Sequence, residues 1–504
     1  MNSKTKILSL QKTIMILVLM IILPFLSFAG VIEVGPGKTY SSPQSAAQVA
    51  IPGDTILIFP SIYTGSNLIT NIHGNEGQYI YFLGVNPELV VFNGGSQGLH
   101  FSDVSYIHIE GLSFTGHTGN GVNIDDGGSF DTPTRHINVV NCHFYDMGAQ
   151  GNNDFLKMSG VDDFLVSGCT FENGANGGSG IDMVGCHQGE ITGCTFKSMG
   201  SNCIQAKGGT QFIDIFKNRF EDGGQRALNL GGSTGLQFFR PLDAQFEAAD
   251  INVYANIFYR GWTPIAYVGS IRVHVVNNTI INPENWVMRI LQETVDVTRF
   301  LPCGDNSFIN NIVYFSNSLA TYVNIGPNTD AASFEFKNNL WYNHQTPTNS
   351  SPNLPTLESN RITGLDPLFV DISSGDLTLS ENSPAIDKGF LSNFTMDYNG
   401  KSVPQGMTND IGAIEYGDVS SLNFFAKKSN GIVFPNPCST FLFIESESKH
   451  HQQLSLFDAS GVNVTNNVKV TSIGKNVTKI NMEQLRPGIY HLMTPSFYKK
   501  IVKI

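Results

Sequence analysis

The chain has 504 residues, and its 42 acidic side chains outnumber its 30 basic ones, so the formal net charge is −12. A protein with this charge does not attract polyanions as a whole, and we expect no nucleic-acid partner. The seven cysteines are an odd number. At least one is therefore unpaired unless it bonds another molecule, and a disulfide framework does not account for the fold.

Residues 1–29 have the features of a secretory signal peptide. Lys4, Lys6 and Lys12 form a basic start, IMILVLMIILPFL forms an apolar core, and the exit SFA precedes Gly30. No later apolar stretch is long enough to span a membrane. We therefore expect an exported protein with no transmembrane anchor in its mature form.

A four-residue phrase recurs along the middle of the chain. It consists of a polar residue, then Asn or Cys, then any residue, and finally an aromatic or aliphatic residue. Its copies are about 22 to 28 residues apart except where insertions lengthen a repeat, and this spacing indicates a solenoid with one supersecondary unit per repeat. The copies end at Phe144, Phe171, Phe196, Phe220, Phe258, Ile280, Val313 and Trp341.

Each repeat is typical of β-structure. Runs such as HINVVNCHF are β-branched, alternate with a period of two and end in Gly, Asn or Asp turns. Coils of this length with two or three short strands predict a right-handed parallel β-helix. The Asn of this phrase is predicted to point inward, so that the side-chain amides of successive coils stack into a ladder. In earlier coils a small cysteine occupies the same column. That column holds Asn218, Asn256, Asn278, Asn311 and Asn339 after Cys142, Cys169 and Cys194.

Aligning the coils on this phrase places a second strand of each coil in register. Its inward positions are apolar, and the next position faces outward because strand side chains alternate. Polar and charged groups collect on this outward stripe, beside the long insertion Ser233–Asp250. The inward column is Val122, Leu156, Ile181, Ile204, Leu228, Ile265 and Met288. The outward column is Asn123, Lys157, Asp182, Gln205, Asn229, Ala266 and Arg289.

Two segments resemble pectin-lyase-like β-helix proteins. PGDTI at Pro52–Ile56, followed by an aromatic Y-x-G, looks like their N-terminal cap, and Asp366–Tyr416 looks like the closing segment of secreted bacterial members. The resemblance implies a β-helix over residues 30–417. It does not select a function, since this superfamily includes lyases, hydrolases, epimerases and adhesins.

The chain changes character after a polar linker at residues 418–429. Residues 430–504 contain PNP at Pro435–Pro437, a DASG turn at Asp458–Gly461, L-x-P-G-I-Y at Leu485–Tyr490 and a basic C-terminus. These features resemble the C-terminal sorting domain of the type IX secretion system of Bacteroidetes. The resemblance implies a small β-sandwich-like domain, a partner in the type IX machinery, and delivery to the cell surface or the medium.

Lys207 and Arg226 lie on successive coils of the polar stripe. Cleavage of a uronic-acid polymer by β-elimination needs a base for the C5 proton and a cation that stabilises the carboxylate as it becomes an enolate. The pair resembles the catalytic Lys and Arg of the chondroitinase-B/alginate-lyase group of β-helix lyases, which adjoin a calcium site. The resemblance implies Lys207 as base and Arg226 as carboxylate ligand. Substrate-binding candidates are Lys157, Asn202, Gln205, Asn229, Arg240, Trp286 and Arg289.

The stripe also leaves alternatives open. The acidic calcium motif of that group is not found before Lys207, so a calcium site would have to come from Asp125, Asp126, Asp154 or Asp182. Asp125, Asp154 and Asp182 could instead serve a glycoside hydrolase, although the polygalacturonase motifs NTD and GHG are absent. Outward strand residues on a solenoid must in any case be polar, so a non-catalytic protein that binds glycan or adheres to surfaces is the remaining alternative.

Overall fold

The computed structural model describes residues 29–417 except Phe130 and 149–152. Beyond these it describes 431–434, 436, 438, 440–446, 454–458, 464–472, 477–486, 488–493 and 498–503. The expected signal peptide, apart from its last residue, and the expected linker lie outside the described residues, as do most of PNP and of the DASG turn. No helix in the described part of the chain is long and apolar enough to cross a membrane.

Residues 31–363 wind into coils whose strands form three long parallel sheets. The first sheet contains β1 (Val31–Val34), β2 (Thr55–Ile58), β5 (Ile80–Gly84), β8 (Ser105–Glu110), β11 (Thr134–Val140), β14 (Val161–Ser167), β17 (His187–Thr192), β20 (Thr210–Phe216), β23 (Ala248–Tyr254), β26 (Ser270–Val276), β29 (Ser307–Ile309) and β32 (Glu335–Lys337). The second contains β3 (Ser61–Tyr63), β6 (Val90–Asn93), β9 (Ser113–Thr115), β12 (His143–Tyr145), β15 (Thr170–Glu172), β18 (Thr195–Lys197), β21 (Arg219–Glu221), β24 (Ile257–Tyr259), β27 (Thr279–Ile281), β30 (Ile312–Phe315), β33 (Leu340–Asn343) and β34 (Ile362–Thr363). The third contains β4 (Asn67–Thr70), β7 (Leu99–Ser102), β10 (Val122–Asp125), β13 (Leu156–Ser159), β16 (Ser179–Val184), β19 (Asn202–Lys207), β22 (Arg226–Gly231), β25 (Ile265–Val268), β28 (Trp286–Leu291) and β31 (Thr321–Ile325).

The repeat phrase sets the register of the second sheet. Phe144, Phe171, Phe196 and Phe220 pair in sequence with one another and then with Phe258. Their rings stack with centroids 4.8, 4.7, 5.1 and 4.6 Å apart, close to the spacing between neighbouring strands. The predicted parallel β-helix and its aromatic stack are confirmed.

The amide ladder forms as predicted. Asn218 donates to Asn256 over 3.1 Å, and the same bond passes from coil to coil at 3.0 Å through Asn278 and Asn311 to Asn339. Each ladder side chain also donates to a buried backbone carbonyl, which satisfies polar groups that water cannot reach. All seven cysteines are free and buried, and Cys142, Cys169 and Cys194 extend the column toward the N-terminus.

The two ends of the β-helix are covered differently. At the N-terminal end, α1 (Pro43–Ala47) buries Pro43, Ala46 and Ala47 over the first coils, and Ser42 caps it. At the far end, Glu358 ends the amide ladder by accepting from Asn339 over 2.7 Å. The resemblance suggested that the segment from Asp366 closes the helix. Instead, with β35 (Phe369–Asp371) and β36 (Asp376–Leu379), it packs along the outside of β24, β27, β30 and β33.

The C-terminal region forms two antiparallel sheets. One contains β37 (Gly431–Phe434), β38 (Phe441–Ser446), β40 (Lys469–Ser472) and β41 (Val477–Asn481), and the other contains β39 (Ser455–Asp458), β42 (Gly488–Met493) and β43 (Tyr498–Lys503). Apolar side chains from both sheets share one core, so the expected sandwich-like domain is present. These side chains include Leu442, Ile444, Leu456, Ile480, Leu492 and Ile501.

Candidate functional site

The third sheet carries the polar stripe in the expected register. Lys157 pairs with Asn123 on one side and with Asp182 on the other, and Asp182 pairs in turn with Gln205. The apolar column beneath them is fully buried. The alternation therefore places these polar side chains on the outer face of the third sheet, as predicted.

The segment between β22 and β23, residues 232–247, arches over this face as a roof. Phe239 is fully buried between Ala244 and Phe300, and the Arg299 guanidinium lies 4.7 Å from the Phe239 ring centre and 4.8 Å from that of Phe300. Phe300 and Arg299 belong to a second insertion, residues 292–306, between β28 and β29. Two insertions from different coils thus brace each other, which makes the roof an ordered part of the structure.

Glu247 fastens the roof to the third sheet. It is fully buried and accepts hydrogen bonds from the backbone N–H of Gly208 at 2.9 Å, from the N–H and hydroxyl of Thr234 at 2.9 and 2.7 Å, and from the Thr294 hydroxyl at 2.5 Å. Four donors compensate the burial of this carboxylate. The anchor lies next to Lys207, so it also sets the position of the roof over that side chain.

A cavity of about 460 Å³, which we call the roofed pocket, lies between the roof and the sheet. Its wall includes two lysines, one carboxylate and an exposed aromatic ring, a composition suited to an anionic ligand with an apolar face. The lining residues are Asp126, Gly128, Lys157, Ser159, Gly160, Val184, Lys207, Ser233, Thr234, Gly235, Phe238 and Arg240.

Asp182 holds the two lysines of the roofed pocket. It is fully buried, forms a hydrogen-bonded ion pair with the Lys157 ammonium, and lies 3.3 Å from Lys207 Nζ through its other oxygen. Asp154, also fully buried, lies 3.6 Å from Lys157 Nζ. Burial and the charge of Asp182 raise the pKa of Asp154 to about 7.

The two carboxylates determine the charge of Lys157. Burial alone lowers the pKa of Lys157, but the charges of Asp182 and Asp154 outweigh it and raise that pKa above its ordinary value. Lys157 is therefore a cation at neutral pH, and its ammonium group faces the pocket from a fixed position.

Asp126 brings a carboxyl group to the same pocket. Its Oδ1 accepts from the N–H of Gly128 at 2.8 Å, and its Oδ2 occupies the space that a side chain at Gly160 would fill, because a Cβ there would lie 2.2 Å away. Burial raises the pKa of Asp126, and the nearby charge of Asp125 adds to the effect. From the sequence, Asp126 was expected only as one of four possible calcium ligands or as part of a solvated acidic turn.

Arg240 lines the roofed pocket but is already paired. Its two terminal nitrogens donate to the two oxygens of Asp162 at 2.6 and 2.7 Å, and one of them also donates to the carbonyl of Gly185 at 3.0 Å. This bidentate pair ties the roof to the neighbouring coil. Arg240 therefore has a bracing contact in addition to the sugar contact expected of it.

The proposed calcium ligands do not converge. Asp125 accepts from the Ser102 hydroxyl at 2.5 Å and from Asn123 at 3.0 Å, and lies 2.6 Å from His100 Nε2, whereas Asp154 and Asp182 lie beneath the lysines. Across the described residues, no group of three His, Cys, Asp or Glu side chains is arranged to hold a metal. Calcium needs six to eight oxygen ligands, so these residues do not fit that ion.

A second cavity of about 410 Å³, the Trp–Arg pocket, lies on the same sheet near the start of its strands. It contains Arg226, Trp286 and Arg289, together with Trp262. Trp262 was not among the residues predicted from the sequence, although its position about one coil before Trp286 was a usable signal. The full lining is Gly200, Gly224, Gln225, Arg226, Trp262, Trp286 and Arg289.

The remaining predicted residues connect the two pockets. Asn229 accepts from Arg226 over 2.9 Å, while Asn202 donates to Gln205 over 3.5 Å. Gln205 and Asn229 are both buried. Asn229 supports the Arg226 side chain, Gln205 accepts from Asn202 and Ser179, and both expose little of their own area to a ligand.

Lys207 and Arg226 occupy different pockets. Arg226 pairs with Asn202, which lies at the opposite end of the six-residue strand β19 from Lys207. At about 3.3 Å per residue, that end is about 17 Å from Lys207. The two residues lie on successive coils, as expected, but at opposite ends of their strands.

A third cavity, of about 760 Å³, is an open groove on the first sheet. Its lining includes Asp163, Glu190, Asp214 and Asp250 beside the exposed ring of Phe212. An acidic lining repels an anionic polymer. None of the predicted site residues lies in this groove.

Residues 61–240 and 132–284, two overlapping stretches, match the family described as right handed beta helix region. No curated protein matches the chain in sequence. Among solved structures, the chain is similar to pectate lyase Pel9A at 15% identity, covering 78% of this chain and 98% of that one with a TM-score of 0.49. It is also similar to an alginate lyase from Paenibacillus sp. str. FPU-7 at 16% identity, covering 60% and 96% with a TM-score of 0.42. A rhamnogalacturonan lyase matches at 12% identity, covering 70% and 96% with a TM-score of 0.40.

Residues 432–503 match the secretion system C-terminal sorting domain, within the region expected from the sequence. The match confirms the expected export by type IX secretion to the cell surface or the medium. The chain is thus a right-handed parallel β-helix followed by a secretion system C-terminal sorting domain.

Proposed function

We propose that the protein acts outside the cell on a uronate-containing polysaccharide and cleaves it by β-elimination in the roofed pocket. The observation that carries the proposal is the pair of lysines, Lys157 and Lys207, held by one buried carboxylate beneath an ordered roof. A cationic, partly enclosed pocket on a protein of net charge −12 is a local site for an anionic sugar.

Lys207 is the base in this proposal, and the lone pair on its Nζ takes the proton from C5 of the uronate. Lys157, which stays charged, stabilises the carboxylate as negative charge develops on it. The electrons of the C5–H bond form the C4–C5 double bond, and the bond from C4 to the glycosidic oxygen breaks. Asp126, whose pKa is raised, supplies a proton to the departing oxygen. The products are one unsaturated end and one new reducing end.

The paired-carboxylate hydrolase has less support. Asp154 and Asp182 are fully buried and ion-paired with lysines, whereas a hydrolase needs carboxyl groups that reach the scissile bond and a water molecule. One observation favours the non-catalytic alternative, in which the protein only binds glycan. Trp262 exposes 49% of its surface beside two arginines. A binding protein would use the Trp–Arg pocket without chemistry in the roofed pocket.

The test is incubation of the mature protein with alginate, pectin, chondroitin and ulvan, followed by ultraviolet absorbance of unsaturated ends and by reducing-end release. The proposal expects both signals on at least one polymer. Reducing ends without the absorbance would indicate hydrolysis, and binding without either signal would indicate a non-catalytic protein.

Lys207→Ala should lower turnover by roughly 10²–10⁴-fold, the usual contribution of a positioned general base. Lys197→Ala, at an exposed position on the second sheet, is the matched control and should keep full activity. Unchanged turnover in Lys207→Ala with an intact fold would remove Lys207 from the mechanism.

A further inference from the structure

The Trp–Arg pocket combines an apolar platform with two cations. Trp262 exposes 49% of its surface, and its ring lies edge-on to that of Trp286 with the centroids 6.5 Å apart. The Arg289 guanidinium lies 4.5 Å from the centre of the Trp286 ring. A flat exposed indole offers an apolar surface to the carbon–hydrogen face of a pyranose ring, and burying that surface is favourable.

The arginines retain donors for an anion. Arg289 donates through Nε to Asn324 over 3.1 Å, and within the described part of the chain its two terminal nitrogens have no hydrogen-bond acceptor. Arg226 uses one terminal nitrogen on Asn229 and the other on Glu293, both at 2.9 Å. Burial lowers the pKa of Arg289, the positive charge of Arg226 lowers it further, and the charge of Glu293 offsets only part of these two effects. An anion between them would relieve this repulsion and accept bidentate hydrogen bonds.

We infer that the Trp–Arg pocket is a binding subsite for one anionic sugar unit, carrying a carboxylate or a sulfate ester. In this assignment Trp262 packs on the sugar ring while Arg226 and Arg289 hold its anionic group. The subsite acts separately from the chemistry, so Arg226 is a binding residue and does not hold the carboxylate of the reacting sugar. The subsite itself does not depend on the proposed function. The statement that the bound sugar belongs to the polymer cleaved in the roofed pocket does rest on it.

The distance between the pockets adds a geometric consequence. Lys207 and Trp286 lie at opposite ends of their strands, about 17 Å apart along the strand direction, and three strands apart, or about 14 Å across the sheet. A polymer that fills both pockets must therefore lie diagonally across the coils. A disaccharide would occupy one pocket at a time, whereas a longer oligosaccharide would gain affinity from both.

The tryptophans provide a direct test of binding. The chain has three: Trp341 is fully buried and donates to Glu358 over 2.9 Å, so a ligand-dependent change in fluorescence reports Trp262 and Trp286. The titration uses the Lys207→Ala protein, so that cleavage is slow on the timescale of the measurement. The ligands are oligogalacturonate or oligoalginate, a sulfated galactan oligosaccharide, and a neutral galactan oligosaccharide. We expect a saturable change with a carboxylated or sulfated oligosaccharide, and which of them binds identifies the anion. The neutral one should give little change.

The double variant Arg226→Gln/Arg289→Gln should weaken this binding by roughly 10–100-fold, since it removes the charge-assisted donors. Arg260→Gln is the matched control, because Arg260 is exposed and paired with Asp222 outside the pocket. Equal binding of neutral and anionic oligosaccharides, no response to any anionic oligosaccharide, or wild-type affinity in the double variant would overturn the inference.

A second variant covers the case in which the double variant does not fold. Trp262→Ala truncates a half-exposed side chain, and calorimetric titration should show binding weakened by about tenfold. Phe212→Ala, an equally exposed aromatic on the first sheet, should bind as the wild type does. The same affinity in both alanine variants would contradict the assignment. A protein that binds here but cleaves nothing would leave the subsite intact and remove the lyase.

Discussion

Replacement of Asp182 by Asn should reveal how much the lysine pair depends on one buried carboxylate. Asp182 is fully buried between Lys157 and Lys207, whose side chains retain only 18% and 10% exposure. Removing one partner of a buried ion pair costs about 3–5 kcal/mol when the other charge is left uncompensated. Here Asp154 still lies 3.6 Å from Lys157 and solvent reaches both lysine side chains, so we expect a loss of about 2–3 kcal/mol.

The assay is urea unfolding of the mature protein at neutral pH, followed by circular dichroism, beside the control Asp222→Asn. Asp222 pairs with Arg260 on the surface at 2.8 Å, and loss of such an exposed pair should cost under about 1 kcal/mol. A loss in Asp182→Asn no larger than in the control would refute the reasoning, because the two lysines would then be satisfied by water alone. A lower turnover in folded Asp182→Asn protein would indicate in addition that the carboxylate positions the lysines for the reaction.

Three further predictions concern pH, the amide ladder and export. The folded pKa of Asp154, about 7, is raised above its ordinary value, so its stabilising contribution is complete below pH ~4 and is lost as pH rises through about 7. Urea unfolding at a series of pH values should therefore show the wild type losing stability relative to Asp154→Asn between pH ~4 and about 7. A difference in unfolding free energy that stays constant with pH would contradict the raised pKa of Asp154. Asn278→Ala removes buried bonds to Asn311 and two carbonyls and should cost about 2–4 kcal/mol in urea unfolding, whereas Asn252→Ala, with one part-buried bond to Asp214, should cost about 1 kcal/mol or less. Deleting residues 430–504 should retain the protein in the periplasm on cell fractionation, and normal surface delivery of the truncated chain would exclude the sorting role.

The sequence by itself determined the coils and their register. Side chains alternate with a period of two along a strand, and each coil repeats the phrase that ends at Phe171 or Phe196. These two periods suffice to predict the aromatic stack, the ladder through Asn278, the buried apolar column and the outward position of Lys157, because all of them depend on backbone position and sequence spacing. The sorting domain could also be predicted from the sequence, because its turn and strand motifs are short and contiguous in the chain.

Only the tertiary structure decided how the outward groups combine. The roof forms because residues 232–247 meet residues 292–306 from a different coil, and insertions carry no period that would predict such a contact. The alignment of the repeats correctly placed Lys207 and Arg226 on successive coils. They nevertheless lie in separate pockets, because they occupy opposite ends of their strands. The burial of Asp182 between two lysines likewise depends on the conformations that the long lysine side chains adopt under the roof. Strand register determines the direction of each Cβ atom but not the position of the lysine Nζ at the end of the side chain.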